Sequence, residues 1–408
     1  MPRGAWNEWR RYKRMKLLWI KTDFLHPTTR GGQIRTLEML RRLHRRHQVD
    51  YLALDDGTQP EGPARAREYC RYFESVPHQA PPKRSVAFAG QLLTGLVSSL
   101  PVAVSRWRSD GMRRKAEEMM RRERYDAVVC DFLFPAPNVP DLDRAVLFQH
   151  NVEAMIWQRH AEHGATPFHR AYFQLQARRM AEYERLVCQT VRRVVAVSAN
   201  DARVMEREYG IAAVGDVPTG VDVDFFAAPE AAEAKVDLVF LGSMDWMPNI
   251  DGATWFTAEI LPLLRRRHPE CSVALVGRKP TAALTALAKN DPRLHVTGTV
   301  PDVRPWLHGA KVSIVPLRVG GGTRLKIYEA MAAGVPVVST TIGAEGLDVV
   351  DGQTIRLGDT AAAFADACAS LLDDAQARRR TAADALSMVS ERYSWEAVTD
   401  VFERHLWT

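Results

Sequence analysis

The sequence predicts an α/β protein of two doubly wound parallel-sheet domains facing a cleft. Three observations carry this. From Lys16 onward short β-rich runs alternate with helical stretches, the pattern of parallel strands covered on both faces. The alternation restarts after a small, acidic, Pro-containing stretch, Ala227–Lys235. The 408 residues suit two or three domains at ~150 residues each. Ligands of such sheets sit at the C-terminal ends of the strands, so a cleft between two domains is the expected site.

The elements follow in order. Lys16–Ile20 reads as a strand, then a long loop with Gly31 and Gly32, then a helix with Leu37, Leu40 and Leu43 on its apolar face. Val49–Leu54, Ala127–Cys130, Val146–Phe148 and Val194–Val197 read as strands. Asp201–Tyr209 reads as a helix closed by Gly210. After the linker come strands at Leu238–Leu241, Ser272–Val276, Leu294–Thr297, Val312–Pro316 and Val335–Ser339. Helices are expected at Ala253–Arg267, Thr281–Lys289 and Leu325–Ala333, and an amphipathic one at Ser394–Trp407.

Composition excludes several classes. With 46% apolar and 25% charged residues, the chain is neither disordered nor a coiled-coil rod. The five cysteines are far apart with no CxxC pair, which points to reduced buried thiols and a cytosolic compartment and away from structural zinc. The net charge of +6 is unevenly spread: residues 1–200 carry +13 and residues 201–408 carry −7. The basic half suits an anionic partner such as nucleic acid, a lipid headgroup surface or a phosphorylated substrate. Residues 1–14 read as a basic leader, disordered or lying on a membrane surface. The apolar run behind it, Leu17–Ile20, is too short for a secretory signal. Ser85–Ser105 has no charge over 21 residues. Its serines, glycines and proline make a buried or membrane-grazing segment a better reading than a span.

The sharpest local signal is Gly320-Gly321-Gly322-Thr323-Arg324-Leu325-Lys326, running into a helix that carries Glu329 and ends at Gly334. Three glycines leave backbone N–H groups open to close approach, and a helix start attracts anions. Arg324 and Lys326 sit where the helix dipole disfavours cations by roughly 0.3–1 kcal/mol each; a bound diphosphate reverses that penalty. Glu329 lies one turn beyond Lys326, where a carboxylate can accept both hydroxyls of a ribose diol. A plain glycine-rich turn with a solvated Lys326–Glu329 pair is the alternative. The spacing is not that of a GxxxxGK[ST] phosphate loop.

The segment resembles the nucleotide-sugar site of retaining glycosyltransferases of family 4, which have the GT-B fold of two Rossmann-like domains. Further pieces agree in order: Phe148-Gln149-His150-Asn151-Val152-Glu153, Val195-Ala196-Val197-Ser198 with Asp201, Pro218-Thr219-Gly220-Val221-Asp222 with Phe225-Phe226, Leu241-Gly242-Ser243-Met244, Val276-Gly277-Arg278, and Thr297-Gly298-Thr299-Val300-Pro301-Asp302-Val303. The GGGTRLK form is similar to that of bacterial sugar transferases of exopolysaccharide gene clusters. The resemblance implies an N-terminal acceptor-side domain (15–226), a linker (227–235), a nucleotide-sugar domain (236–390) and a C-terminal segment (391–408) packing back on the first domain.

Two departures stand out. The first Glu of the family's pair would fall at Gly321, and no Lys or Arg occurs from Val236 to Leu264. The diphosphate charge therefore falls to Arg324 and Lys326, helped by backbone N–H groups of Gly321, Gly322 and Thr323, with Arg278 a weaker candidate; Gly242, Ser243 and Gly320 are further substrate-binding candidates. Thr299 and Val300 would hold the base through backbone groups. The resemblance gives His150 a hydrogen bond to the transferred sugar, and places Gly31 and Gly32 near donor diphosphate and acceptor. Arg35, on the first turn of the following helix, repeats the anion-site logic.

The implied activity is glycosyl transfer with retention, from a nucleoside-diphosphate sugar to a glycan or polyprenyl-linked acceptor. It needs no metal and no cofactor beyond the donor. The expected setting is exopolysaccharide or cell-envelope glycan synthesis, cytoplasmic and at the inner membrane face. A solvated basic surface explains the first domain's charge as well as a membrane contact does. A nucleotide-sugar 2-epimerase of the same fold and a non-catalytic nucleotide-sugar sensor or assembly protein are the competing readings. No recognition helix or stacking platform supports nucleic-acid binding.

Overall fold

The structure is a computed structural model that describes residues 14–81, 85, 90, 95, 98–162, 166–227, 235–319 and 325–407. Most of the leader, the core of the linker, much of the uncharged Ser85–Ser105 segment and residues 320–324 lie outside the described residues. The chain divides into two compact units, Met1–Pro218 with Val398–Thr408, and Thr219–Ala397. Each contains one parallel sheet, and the two are Rossmann-like.

The first unit's sheet has seven strands: β1 (Lys16–Lys21), β2 (Gln48–Asp55), β3 (Tyr72–Pro77), β4 (Ala127–Asp131), β5 (Ala145–Gln149), β6 (Arg193–Ala196) and β7 (Gly215–Asp216). Their order is β3-β2-β1-β4-β5-β6-β7, all parallel. The order reverses between β1 and β4, where a doubly wound sheet opens its ligand crevice. Helices α1 (Gly31–Arg46), α2 (Asp110–Arg122), α3 (Glu153–Glu162), α4 (Pro167–Thr190) and α5 (Ala199–Tyr209) connect the strands. The strands read as continuous apolar runs because both faces are covered. Trp19 and Phe148 are fully buried.

The second unit's sheet has six strands: β8 (Val236–Leu241), β9 (Val273–Val276), β10 (Leu294–Val296), β11 (Ala310–Val315), β12 (Val337–Ser339) and β13 (Arg356–Leu357). They run in the order β10-β9-β8-β11-β12-β13, again parallel. Its principal helices are α6 (Met247–Trp255), α7 (Leu261–Arg267), α8 (Ala282–Asn290), α9 (Leu325–Ala332), α10 (Ala361–Asp373) and α11 (Ala375–Arg392). Helix α12 (Trp395–Trp407) begins in this unit, and from Val398 its residues belong to the first. There Phe402 packs on Trp19 and Phe148 at ring-centroid distances of 5.5 and 4.8 Å.

Several expectations need correction. Gly31 and Gly32 are not in a loop; they are the first two residues of α1. Arg35 therefore lies beyond the first turn, and the anion-site argument for it fails. The helix expected from Ala253 starts at Met247, with Pro248 at its beginning, where a missing N–H costs nothing. It passes through a π-turn at Phe256–Ile260 before α7. Edge strand β3, ending in Pro77, adds to the sequence pattern. Gly210 and Gly334 do take left-handed conformations, φ 63° and 70°. All five cysteines are free and buried. Among the described residues no helix is long and apolar enough to cross a membrane.

Candidate functional site

Each unit gathers polar side chains at the C-terminal ends of its central strands. In the first unit the centre is Asp131, the last residue of β4 and fully buried. Its Oδ1 lies 3.0 Å from Lys21 Nζ and 2.7 Å from His150 Nε2. Its Oδ2 accepts from Trp19 Nε1–H at 2.8 Å and from the Thr36 hydroxyl at 2.7 Å. Lys21 and Trp19 come from β1, Thr36 from α1, and His150 follows β5 directly. Burial works against the Asp131 charge, but Lys21 and the His150 and Thr36 hydrogen bonds outweigh it and hold the carboxyl well below its usual range. Burial, joined by Lys21 and Arg35, outweighs Asp131 at the imidazole and brings the His150 pKa down to about 4.

Two aromatic rings flank the His150 imidazole. Phe132 and Phe148 lie 5.0 and 4.7 Å away, centroid to centroid. Phe132 has φ 83°, a left-handed conformation unusual for a bulky residue, so the turn after Asp131 is strained. A Cβ placed on Gly32 would lie 3.2 Å from His150 Nδ1. Arg35 is half-buried; burial lowers its pKa to about 10 despite Asp131 and Asp201. Behind this centre Glu184 closes the start of α3. Its carboxylate accepts from the Glu153 and Ala154 amides at 3.0 and 2.9 Å, from Gln149 at 2.6 Å and from the Tyr209 hydroxyl at 2.6 Å. Glu153 is buried, and burial raises its pKa to about 7.

In the second unit the centre is Asn249, buried on α6. Its Nδ2 donates to the Ser243 carbonyl at 2.8 Å, and its Oδ1 accepts from Lys326 Nζ at 2.8 Å. The same ammonium stands 4.8 Å over the Phe240 ring. Gly242 is needed here, because a Cβ on it would come within 2.9 Å of the Asn249 amide. Gly277 is equally constrained, since its Cβ would fall 1.9 Å from the Gly242 carbonyl oxygen. Arg278 joins Ser243 as well: its Nε donates to Ser243 Oγ at 2.8 Å and its Nη2 lies 3.3 Å from Asp245. Burial raises the Glu329 carboxyl above its ordinary value, against the pull of Lys326.

The structure thus brings His150, Gly32 and Arg35 around Asp131, and Gly242, Ser243 and Arg278 into one network that reaches Lys326 through Asn249. Thr299 is exposed and Val300 packs on the core of its unit. Gly320, Gly321, Gly322, Thr323 and Arg324 lie outside the described residues. Lys21, Asp131 and Asn249 were not among the sequence candidates. The first two carried a signal nonetheless, as charged residues closing apolar strand runs (KLLWIK and AVVCD), where ligands of parallel sheets bind.

Two Rossmann-like units of this topology define the GT-B class of fold. Solved structures agree. A glycosyltransferase from Rickettsia africae aligns with TM-score 0.62 at 14% identity, over 97% of this chain and 98% of its own. HepE from Anabaena, in complex with UDP, aligns with TM-score 0.62 at 14% identity, over 96% and 99%. Residues 29–225 match the family described as Glycosyltransferase Family 4, and residues 235–374 match Glycosyl transferases group 1. The two matches together span most of the chain, and both are to glycosyltransferase domains. An uncharacterized 44.6 kDa protein in the cps region of Klebsiella pneumoniae is 19% identical over 395 residues, 94% of this chain and 97% of that protein. A phosphatidyl-myo-inositol mannosyltransferase from Mycolicibacterium smegmatis is 31% identical over 214 residues, 50% of this chain and 54% of the enzyme. The match spans about half the length of that enzyme, and 47% of a Mycobacterium tuberculosis glycogen synthase.

Proposed function

We propose that this chain transfers a sugar from a nucleoside-diphosphate donor to a glycan or lipid-linked acceptor, with retention of anomeric configuration. The observation that carries the reading is the anchored ammonium of Lys326, held by Asn249 of α6 and one turn before Glu329. Breaking the glycosyl–phosphate bond leaves negative charge on the diphosphate. A cation fixed in advance stabilises that charge without reorganising during the reaction. Arg324 and the amides of Gly321, Gly322 and Thr323 supply the other donors in this reading, and Glu329 takes the ribose hydroxyls. His150 hydrogen bonds the transferred sugar. The match of HepE, a UDP-binding protein by its crystal structure, is consistent with such a donor.

The setting we infer is exopolysaccharide or envelope glycan synthesis at a membrane face, supported by the similarity to the Klebsiella cps-region protein and by the basic first half of the chain. The reaction as proposed requires no metal, since side-chain and backbone donors take the diphosphate charge.

Donor consumption tests the proposal. Purified protein is incubated with UDP-, GDP-, dTDP- and ADP-sugars, with and without lipid extract. Nucleotide release is followed for wild type, Lys326→Ala and Glu329→Gln. Release from one donor, raised by lipid and lost in both variants, supports a transferase with a membrane acceptor. Tight donor binding without release favours the sensor reading, for which the glycine at position 321 is the motivating departure. No binding at all refutes the site.

A further inference from the structure

We propose that Asp131 is a positioning residue that fixes the His150 ring with its proton on Nε2, leaving Nδ1 as the acceptor for a hydroxyl of the substrate beside Gly32. The proposal rests on the reading of His150 as the sugar-contacting residue. Asp131 Oδ1 already receives Lys21 Nζ at 3.0 Å, and Oδ2 is filled by Trp19 and Thr36. A carboxylate with three donors on it has no proton to offer. The short 2.7 Å approach of His150 Nε2 therefore requires that nitrogen to be the donor.

The opposite nitrogen is then a bare lone pair. Nδ1 is buried and has no hydrogen-bond partner among the described residues. Leaving such an atom unpaired costs roughly 1–3 kcal/mol, so the free protein holds an acceptor waiting for a donor. The Phe132 and Phe148 rings flank the imidazole and offer it no polar alternative. The Nδ1 edge faces the first turn of α1, where Gly32 leaves open the space that a methyl would fill at 3.2 Å. A neutral ring presented this way can accept a hydroxyl proton but cannot donate one, which sets the direction of the sugar contact. The low pKa of His150 is consistent with a neutral ring at pH 7. Lys21 and Arg35 are the cations that act on it, and Asp131 the anion.

The test reads the tautomer directly. The full chain is labelled with ¹⁵N-histidine, and long-range ¹H–¹⁵N correlations are recorded without donor. The His150 signals are assigned by their loss in His150→Gln. The expected result is a protonated Nε2 and an unprotonated Nδ1 at neutral pH; an Nδ1–H tautomer or a doubly protonated ring overturns the proposal. Asp131→Asn should abolish the single tautomer and lower kcat/KM for the donor by about tenfold to a hundredfold, with nucleoside-diphosphate affinity unchanged. If that variant fails to fold, Gly32→Ala serves instead: the tautomer should persist while kcat/KM falls by a similar factor. Unchanged turnover in a folded Gly32→Ala overturns the role of Nδ1. Because the spectrum needs no turnover, a chain that shows the expected tautomer but transfers nothing refutes the transferase reading and leaves the Asp131 assignment standing.

Discussion

Replacing Asn249 with aspartate separates a structural role for this residue from an electrostatic one. The side chain keeps its volume, and its oxygen keeps the 2.8 Å contact to Lys326 Nζ. What changes is one unit of charge, together with the loss of the Nδ2–H bond to the Ser243 carbonyl. If Asn249 only braces the turn after β8, losing the bond to the Ser243 carbonyl lowers the melting temperature and leaves diphosphate affinity unchanged. If Lys326 receives a diphosphate, the same carboxylate neutralises it and repels the ligand. A phosphate oxygen bound to Lys326 would lie roughly 5 Å from the new charge, where two unit charges repel by about 3 kcal/mol at an effective dielectric of ~20. Lys326 is half-buried, so solvent screening reduces this to about 1.5–3 kcal/mol, a ten- to hundredfold loss of affinity. Asn249→Ala is the control. It removes the anchor but keeps the cation, and should cost about 0.5–1.5 kcal/mol. Titration calorimetry of the preferred nucleoside diphosphate, with thermal melts of each variant, gives both numbers. An Asn249→Asp protein that binds as well as wild type, whatever its melting temperature, would show that Lys326 does not meet the diphosphate.

Other expectations follow from the same structure. Phe402→Ala empties the space against Trp19 and Phe148 and should destabilise the first unit by about 3–5 kcal/mol; urea unfolding that matches wild type would refute the importance of this contact. The Glu153 carboxyl, raised from 4.5 to about 7 by burial, binds more proton folded than unfolded. Its contribution therefore makes stability fall as pH rises through that window, by about 3 kcal/mol at ~1.4 kcal/mol per unit. Glu153→Gln should flatten that part of the profile, and equal slopes for both proteins in urea midpoints from pH 5 to 8 would contradict it. Chelation with EDTA should leave donor turnover unchanged, and a rate restored only by added Mg²⁺ would overturn the metal-free mechanism.

Much of the architecture was legible because its cause is local. Strand runs such as KLLWIK and VDLVFL are apolar on both faces, and that is enough to announce a buried parallel strand. Gly210 and Gly334 end helices for a reason that needs only their own φ. The edges were harder: β7 is only two residues long and most of β3 is only partly buried, so neither announces itself as an apolar run. The Gly31-Gly32 pair misled for a related reason. Glycine usually marks a turn, yet here a helix begins on it, and the close approach of His150 to Gly32 explains why no larger side chain stands there.

The sequence by itself determined the two parallel-sheet domains, the family resemblance and the residue types at the donor loop, since these depend on periodicity and on short motifs. Only the tertiary structure decided which side chains act together. Lys21, Asp131 and His150 are separated by up to 129 positions, and Asn249 and Lys326 by 77. They meet because parallel strands of a doubly wound sheet all end on one edge, and burial at that edge turns ordinary ion pairs and hydrogen bonds into fixed charges and a fixed lone pair.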